Sequence, residues 1–132
     1  MLKKRLIACL PLMDGQVVQS INFQRFNMIG NAAIVMKHLN AWEVDEIVFL
    51  DINRRKNYDF WRPDVNYDNT LKEFADVIRY ISTSMFVPLT AGGGIRTMDD
   101  MRRYIHAGAD KISINTAAIQ NPKVITEGAE KF

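Results

Sequence analysis

Phe86-Val87-Pro88-Leu89-Thr90-Ala91-Gly92-Gly93-Gly94-Ile95-Arg96-Thr97 is a buried-strand pattern that runs into three glycines and then a helix cap. Residues without a Cβ let a phosphate approach bare backbone N–H groups, and the dipole of the following helix favours negative charge. A second strand end follows at Lys111-Ile112-Ser113-Ile114-Asn115-Thr116-Ala117-Ala118. Two such ends side by side predict a phosphate-ester site at the carboxyl edge of a parallel sheet.

Working outward, Leu6 to Leu12 is an apolar run suited to a strand buried on both faces. Asp14-Gly15 is a turn signal, and Gln16 to Phe23 reads as a small hairpin in a long loop. Asn31 caps a helix whose apolar face is Ile34, Val35, His38, Leu39 and Trp42. Glu46 to Ile52 is the second strand, followed by a polar, aromatic-laced loop from Asn53 to Asn69. Thr70-Leu71-Lys72-Glu73 reads as a capping box opening a helix with Leu71, Phe74, Ala75, Ile78 and Ile81 on one face. Thr97 starts a third helix with Asp99 and Asp100 in its first turn, and Gly108 ends it. The fourth strand spans Lys111 to Ala117. Asn121-Pro122 opens a last helix with Pro122, Ile125, Ala129 and Phe132 on one face.

The order βαβαβαβα implies an α/β fold with a parallel sheet and right-handed crossovers. Four units make a (βα)4 half of a TIM (βα)8 barrel, one domain over residues 1–132 that is incomplete beside an eight-unit barrel. An open flavodoxin-like sheet competes, but candidate site residues at the ends of all four strands suit a barrel mouth. The first and fourth strands would then be apolar, unpaired edges. Two copies pairing there predict a homodimer or larger assembly.

Composition bounds the function. With 48% hydrophobic and 24% charged residues, the chain is that of an ordinary globular protein. A net charge of +2 gives no strong pull toward nucleic acid or an anionic membrane. The single Cys9 excludes an internal disulfide and a thiolate-rich zinc site, and fits a reducing, cytoplasmic setting. No stretch approaches the roughly 20 apolar residues of a membrane span. The basic-then-apolar start at Met1 to Leu10 reads as a first strand rather than a signal peptide.

Val48-Phe49-Leu50-Asp51-Ile52, Gly92-Gly93-Gly94-Ile95-Arg96 and Ala107-Gly108-Ala109-Asp110-Lys111-Ile112-Ser113-Ile114-Asn115-Thr116-Ala117-Ala118 carry a resemblance. Essentially the whole chain resembles the amino-terminal half of the cyclase subunit of imidazole glycerol phosphate synthase, a (βα)8 barrel of histidine biosynthesis. The resemblance implies a glutaminase partner whose ammonia passes through the barrel, a phosphorylated, ribulosyl bisphosphate-type substrate, and no metal or organic cofactor. It implies a phosphate site at Gly93, Gly94, Asn115 and Thr116. It implies an ammonia gate that includes Arg5, Glu46 and Lys111, and a substrate-lining carboxylate at Asp51. The alternative for the three charged residues is a salt-bridge plug in the barrel bottom, and for Asp51 a helix N-cap or turn acceptor.

The departures matter equally. Where the family carries its first catalytic aspartate, the chain reads Cys9-Leu10-Pro11-Leu12, and Pro11 has no ionisable group. The family's loop-one lysine falls on Gln19, and its second aspartate belongs to a strand beyond Phe132. These losses resemble a divergent branch that builds an amidino group on a sugar for surface polysaccharides. A non-catalytic phosphate-binding half-barrel is a further alternative. His38 reads as half-buried packing, His106 as a complement to a helix dipole, and Cys9 as strand core. The basic and aromatic loop Asn53–Asn69 reads as a lid over an anionic sugar.

Overall fold

The computed structural model describes residues 3–53 and 71–132. Its strands are β1 (Ile7–Met13), β2 (Gln16–Ile21), β3 (Arg25–Asn31), β4 (Glu46–Asp51), β5 (Leu89–Gly92) and β6 (Lys111–Ser113). Its helices are α1 (Ala32–Ala41), α2 (Phe74–Ser82), α3 (Met98–His106), α4 (Thr116–Gln120) and α5 (Lys123–Lys131). One sheet holds all six strands in the order β3-β2-β1-β4-β5-β6.

The parallel part is β1-β4-β5-β6, with registers that include Ile7↔Glu46, Ile47↔Leu89 and Thr90↔Lys111. Between successive parallel strands run α1, α2 and α3. This is the α/β architecture of a half-barrel. Alternation along each strand sends one set of side chains to the helices. Leu12, Ile47, Phe49, Leu89 and Ala91 meet Met36, Phe74, Ile78 and Ile81 there and form the main core. A smaller cluster of Ile95, Met101 and Val124 ties α5 to α3.

The local signals act as the residue types dictate. Asn31 caps α1 by accepting the Ala33 N–H at 2.7 Å. Thr97 and Asp100 close a reciprocal capping box at the start of α3. Asp14 and Gly15 both take positive φ, which lets β1 turn directly into β2.

Several expectations need correction. Gln16 to Phe23 is only the first arm of the hairpin, because β3 continues to Asn31 and pairs with β2. β2 also pairs with Leu12 and Met13, so β1 is not a wholly free edge. Nor is β1 buried on both faces: Ile7 and Cys9 point to the open inner face and are exposed. The fourth strand stops at Ser113 rather than Ala117, because its neighbour β5 ends at Gly92 and offers no further backbone partner. Thr116 and Ala117 belong to α4. α2 starts at Phe74, with Glu73 at its cap position and no side-chain cap bond. Thr70 lies outside the described residues, as does the lid reading for most of Asn53–Asn69.

Two predicted apolar faces are turned outward. In α1 the buried residues are Ala32, Met36 and Leu39, while Ile34, His38 and Trp42 are exposed. In α5 Val124 is buried, and Pro122, Ile125, Ala129 and Phe132 are exposed. These helices flank the two ends of the parallel sheet. In a complete barrel each such end would meet another unit.

Candidate functional site

At the carboxyl ends of β4, β5 and β6 the expected phosphate-site residues come together. Gly93, Gly94, Asn115 and Thr116 line one cavity of about 360 Å³, with Leu50, Asp51 and Ser113 on the same wall. Gly93 takes φ +101° and Gly94 φ +64°, conformations that side chains with a Cβ rarely adopt. A Cβ on Gly94 would meet nothing within 4 Å, so its backbone is open. The Asn115 side chain makes no cap bond to α4, which leaves its amide unspent there. Two backbone N–H groups, an amide and a hydroxyl are suitable donors to phosphate oxygens.

Asp51 ends β4 and accepts the Asn53 N–H at 3.1 Å through Oδ1, the turn-acceptor geometry. It also reaches a second, larger cavity of about 570 Å³ between α2 and α3, lined by Asn53, Glu73, Phe74, Arg96, Asp100, Arg103 and Tyr104. Tyr104 packs edge-on against Phe74. Burial, and then the Asp51 carboxylate, push its phenol up to about 12. Arg103 is paired with Glu73. Sequence reading missed this cavity, because no motif joins residues of two helices across a strand end. It also missed Arg96, which lines both cavities.

At the opposite face the three expected charged residues converge. Glu46 accepts Arg5 Nη2 at 2.6 Å through Oε2 and Lys111 Nζ at 2.8 Å through Oε1. A member the sequence did not suggest is Thr90, whose buried hydroxyl donates to the same Oε1 at 3.1 Å. The Lys111 hydrogen bond outweighs the opposing desolvation, and the Glu46 carboxyl is held below its ordinary range. The arrangement is a carboxylate clamped between two half-exposed cations at the floor of the inner face.

Pro11 sits in β1 opposite Leu50 of β4. The Leu6 and Leu12 carbonyls accept from Asp45 and Ile52, so the even-numbered backbone groups of β1 face β4. The missing N–H of Pro11 therefore falls on the other edge, where the ladder tolerates it. The side chain there offers no proton donor or acceptor.

Among the described residues no group of three or more His, Cys, Asp or Glu could hold a metal ion, and no helix is long and apolar enough to cross a membrane.

A family model described as histidine biosynthesis protein matches residues 5–132. Imidazole glycerol phosphate synthase subunit HisF of Natranaerobius thermophilus is 39% identical over 132 residues, 100% of this chain and 48% of the relative. The same-named subunit of Staphylococcus saprophyticus is 42% identical, again over 100% of this chain and 48% of its own length. That of Methanococcus vannielii is 42% identical over 100% of this chain and 44% of its own length. The chain thus spans about half the length of the curated relatives it matches.

Proposed function

The chain belongs to the histidine biosynthesis protein family, and on that premise we propose that it is the phosphate-ester-binding half of an ammonia-dependent, cyclase-like subunit. The observation that carries this reading is the convergence of Gly93, Gly94, Asn115 and Thr116 on one cavity at adjacent strand ends. The substrate is a phosphorylated sugar-type molecule whose phosphate sits in that cavity, beside Asp51. Ammonia comes from a glutaminase and enters past Glu46, whose two cations must separate from it to open a path. Support for a partner at that face comes from Leu6, Trp42 and Phe86, three exposed apolar residues at the amino-terminal ends of β1, β4 and β5. No cofactor is required by the reading.

The isolated chain acts as one (βα)4 domain and pairs with a second copy. Support comes from the outward-facing Ile34 and Trp42 on α1 and Ile125 and Phe132 on α5. These apolar surfaces lie at both ends of the parallel sheet, where a closed barrel would cover them.

Pro11 favours a second reading of the chemistry, a divergent sugar-amidinating branch, because a general acid–base group is missing where the family places one. The test is calorimetric. A sugar phosphate should bind the chain, and the same sugar without its phosphate should not. Equal binding of the two, or of neither, would overturn the phosphate reading.

A further inference from the structure

Among the described residues, the cavity at Gly93, Gly94, Asn115 and Thr116 has two charged residues on its wall, Asp51 and Arg96. The other donors there are neutral. A phosphate monoester carries about −1.5 to −2 charges near neutral pH, and a carboxylate on the same wall opposes it. A cation is needed to balance that charge, and among the described residues of the wall that cation is Arg96.

The setting of Arg96 suits this role. Its backbone N–H donates to Asp100 Oδ2 at 3.1 Å, and the same carboxylate closes the cap of α3, so the main chain is pinned. Its side chain is not tied down in the same way. Arg79, Arg102 and Arg103 are engaged with Asp76, Asp99 and Glu73, whereas among the described residues no carboxylate pairs with the exposed Arg96 guanidinium. A fixed base with an uncommitted planar fork can close on an oxyanion with two parallel N–H donors. Because Arg96 also borders the larger cavity, its guanidinium has room to withdraw when the site empties.

We propose that Arg96 is a specificity-determining residue that closes over the bound phosphate and selects a phosphorylated substrate over its neutral counterpart. This rests on the phosphate reading of the cavity.

The test titrates inorganic phosphate into the full chain, R96Q and R96K, at low and raised salt, with thermal unfolding as a control. R96Q should unfold like the unmodified chain, bind phosphate about tenfold more weakly, and lose most of the salt dependence. R96K should lie between, since it keeps the charge without the fork. R96Q binding as tightly as the unmodified chain, with the same salt dependence, would overturn the role of Arg96 and leave the site standing. An unmodified chain that binds no phosphate would overturn the site itself, and this inference with it.

Discussion

Gly93 lies so close to the end of β4 that a Cβ built on it would stand 2.7 Å from the amide nitrogen of Asp51 and overlap its carbonyl oxygen. One residue thus serves fold and site together. It seats β5 against β4, and it turns the chain so that Gly94 faces the cavity.

Substituting either glycine should therefore have separable effects. Gly93→Ala combines an unfavourable positive φ with a backbone clash, and should cost at least about 1–2 kcal/mol in denaturant unfolding. At Gly94 an added Cβ meets no neighbour within 4 Å, so Gly94→Val escapes that clash at its Cβ. It should cost a similar backbone penalty, yet abolish phosphate binding through lost geometry and filled space. Retained phosphate affinity in Gly94→Val would count against the site.

Glu46 makes stability depend on acid. Its carboxyl is lowered from the ordinary value of 4.5, chiefly by the Lys111 hydrogen bond. A depressed carboxyl contributes stability that is fully present above its unfolded value and is lost as pH falls through its folded value. Urea unfolding across the acid range should show that loss, and Glu46→Gln should flatten it. An unchanged acid profile in Glu46→Gln would show that the clamp is not formed in solution.

Pro11 should leave even a complete barrel carrying this half without the family's ring-closing activity. A positioned proton-transfer group contributes about 10²–10⁴-fold to rate, and proline supplies none. Incubation with ammonia and the ribulosyl substrate, followed by imidazole formation, should give no product above background. Turnover at the rate of the HisF relatives would contradict the divergent reading.

Neighbouring residues of α5 should behave oppositely. Val124 is buried against Met101 and Ile95, so Val124→Ala should destabilise the fold by about 1–3 kcal/mol. Ile125 is exposed, so Ile125→Lys should leave unfolding unchanged and weaken self-association. Light scattering at micromolar concentration reads the second effect. A monomeric unmodified chain would remove the basis for pairing through this face.

Much of this architecture was legible because local signals and global fold agree. The capping residues Asn31 and Thr97 begin their helices as read, and Glu46 and Lys111 open β4 and β6 as expected. Periodicity found the apolar stripes of α1 and α5 but placed them inside. A stripe reports that a face wants cover, not which body covers it, and Ile125 and Phe132 are exposed here. β3 was missed because Arg25 to Asn31 carries no alternation. Its pairing with β2 skips a residue between Met28 and Gly30, and such a bulge breaks the period of two. Thr90 was missed because a hydroxyl beside a carboxylate is a tertiary relation, made only when β4 and β5 pair. That Gly93, Gly94, Asn115 and Thr116 would lie together was legible because each follows the carboxyl end of a parallel strand, where adjacent strands bring residues distant in sequence side by side.

The most direct measurement is a phosphate titration of the isotopically labelled chain, followed through its backbone amides. Gly93, Gly94, Asn115 and Thr116 should shift together along one saturating curve, while Ile125 and other residues of α5 stay still. Saturable binding with those four amides unmoved, or no shifts at all, would contradict a phosphate site at these strand ends.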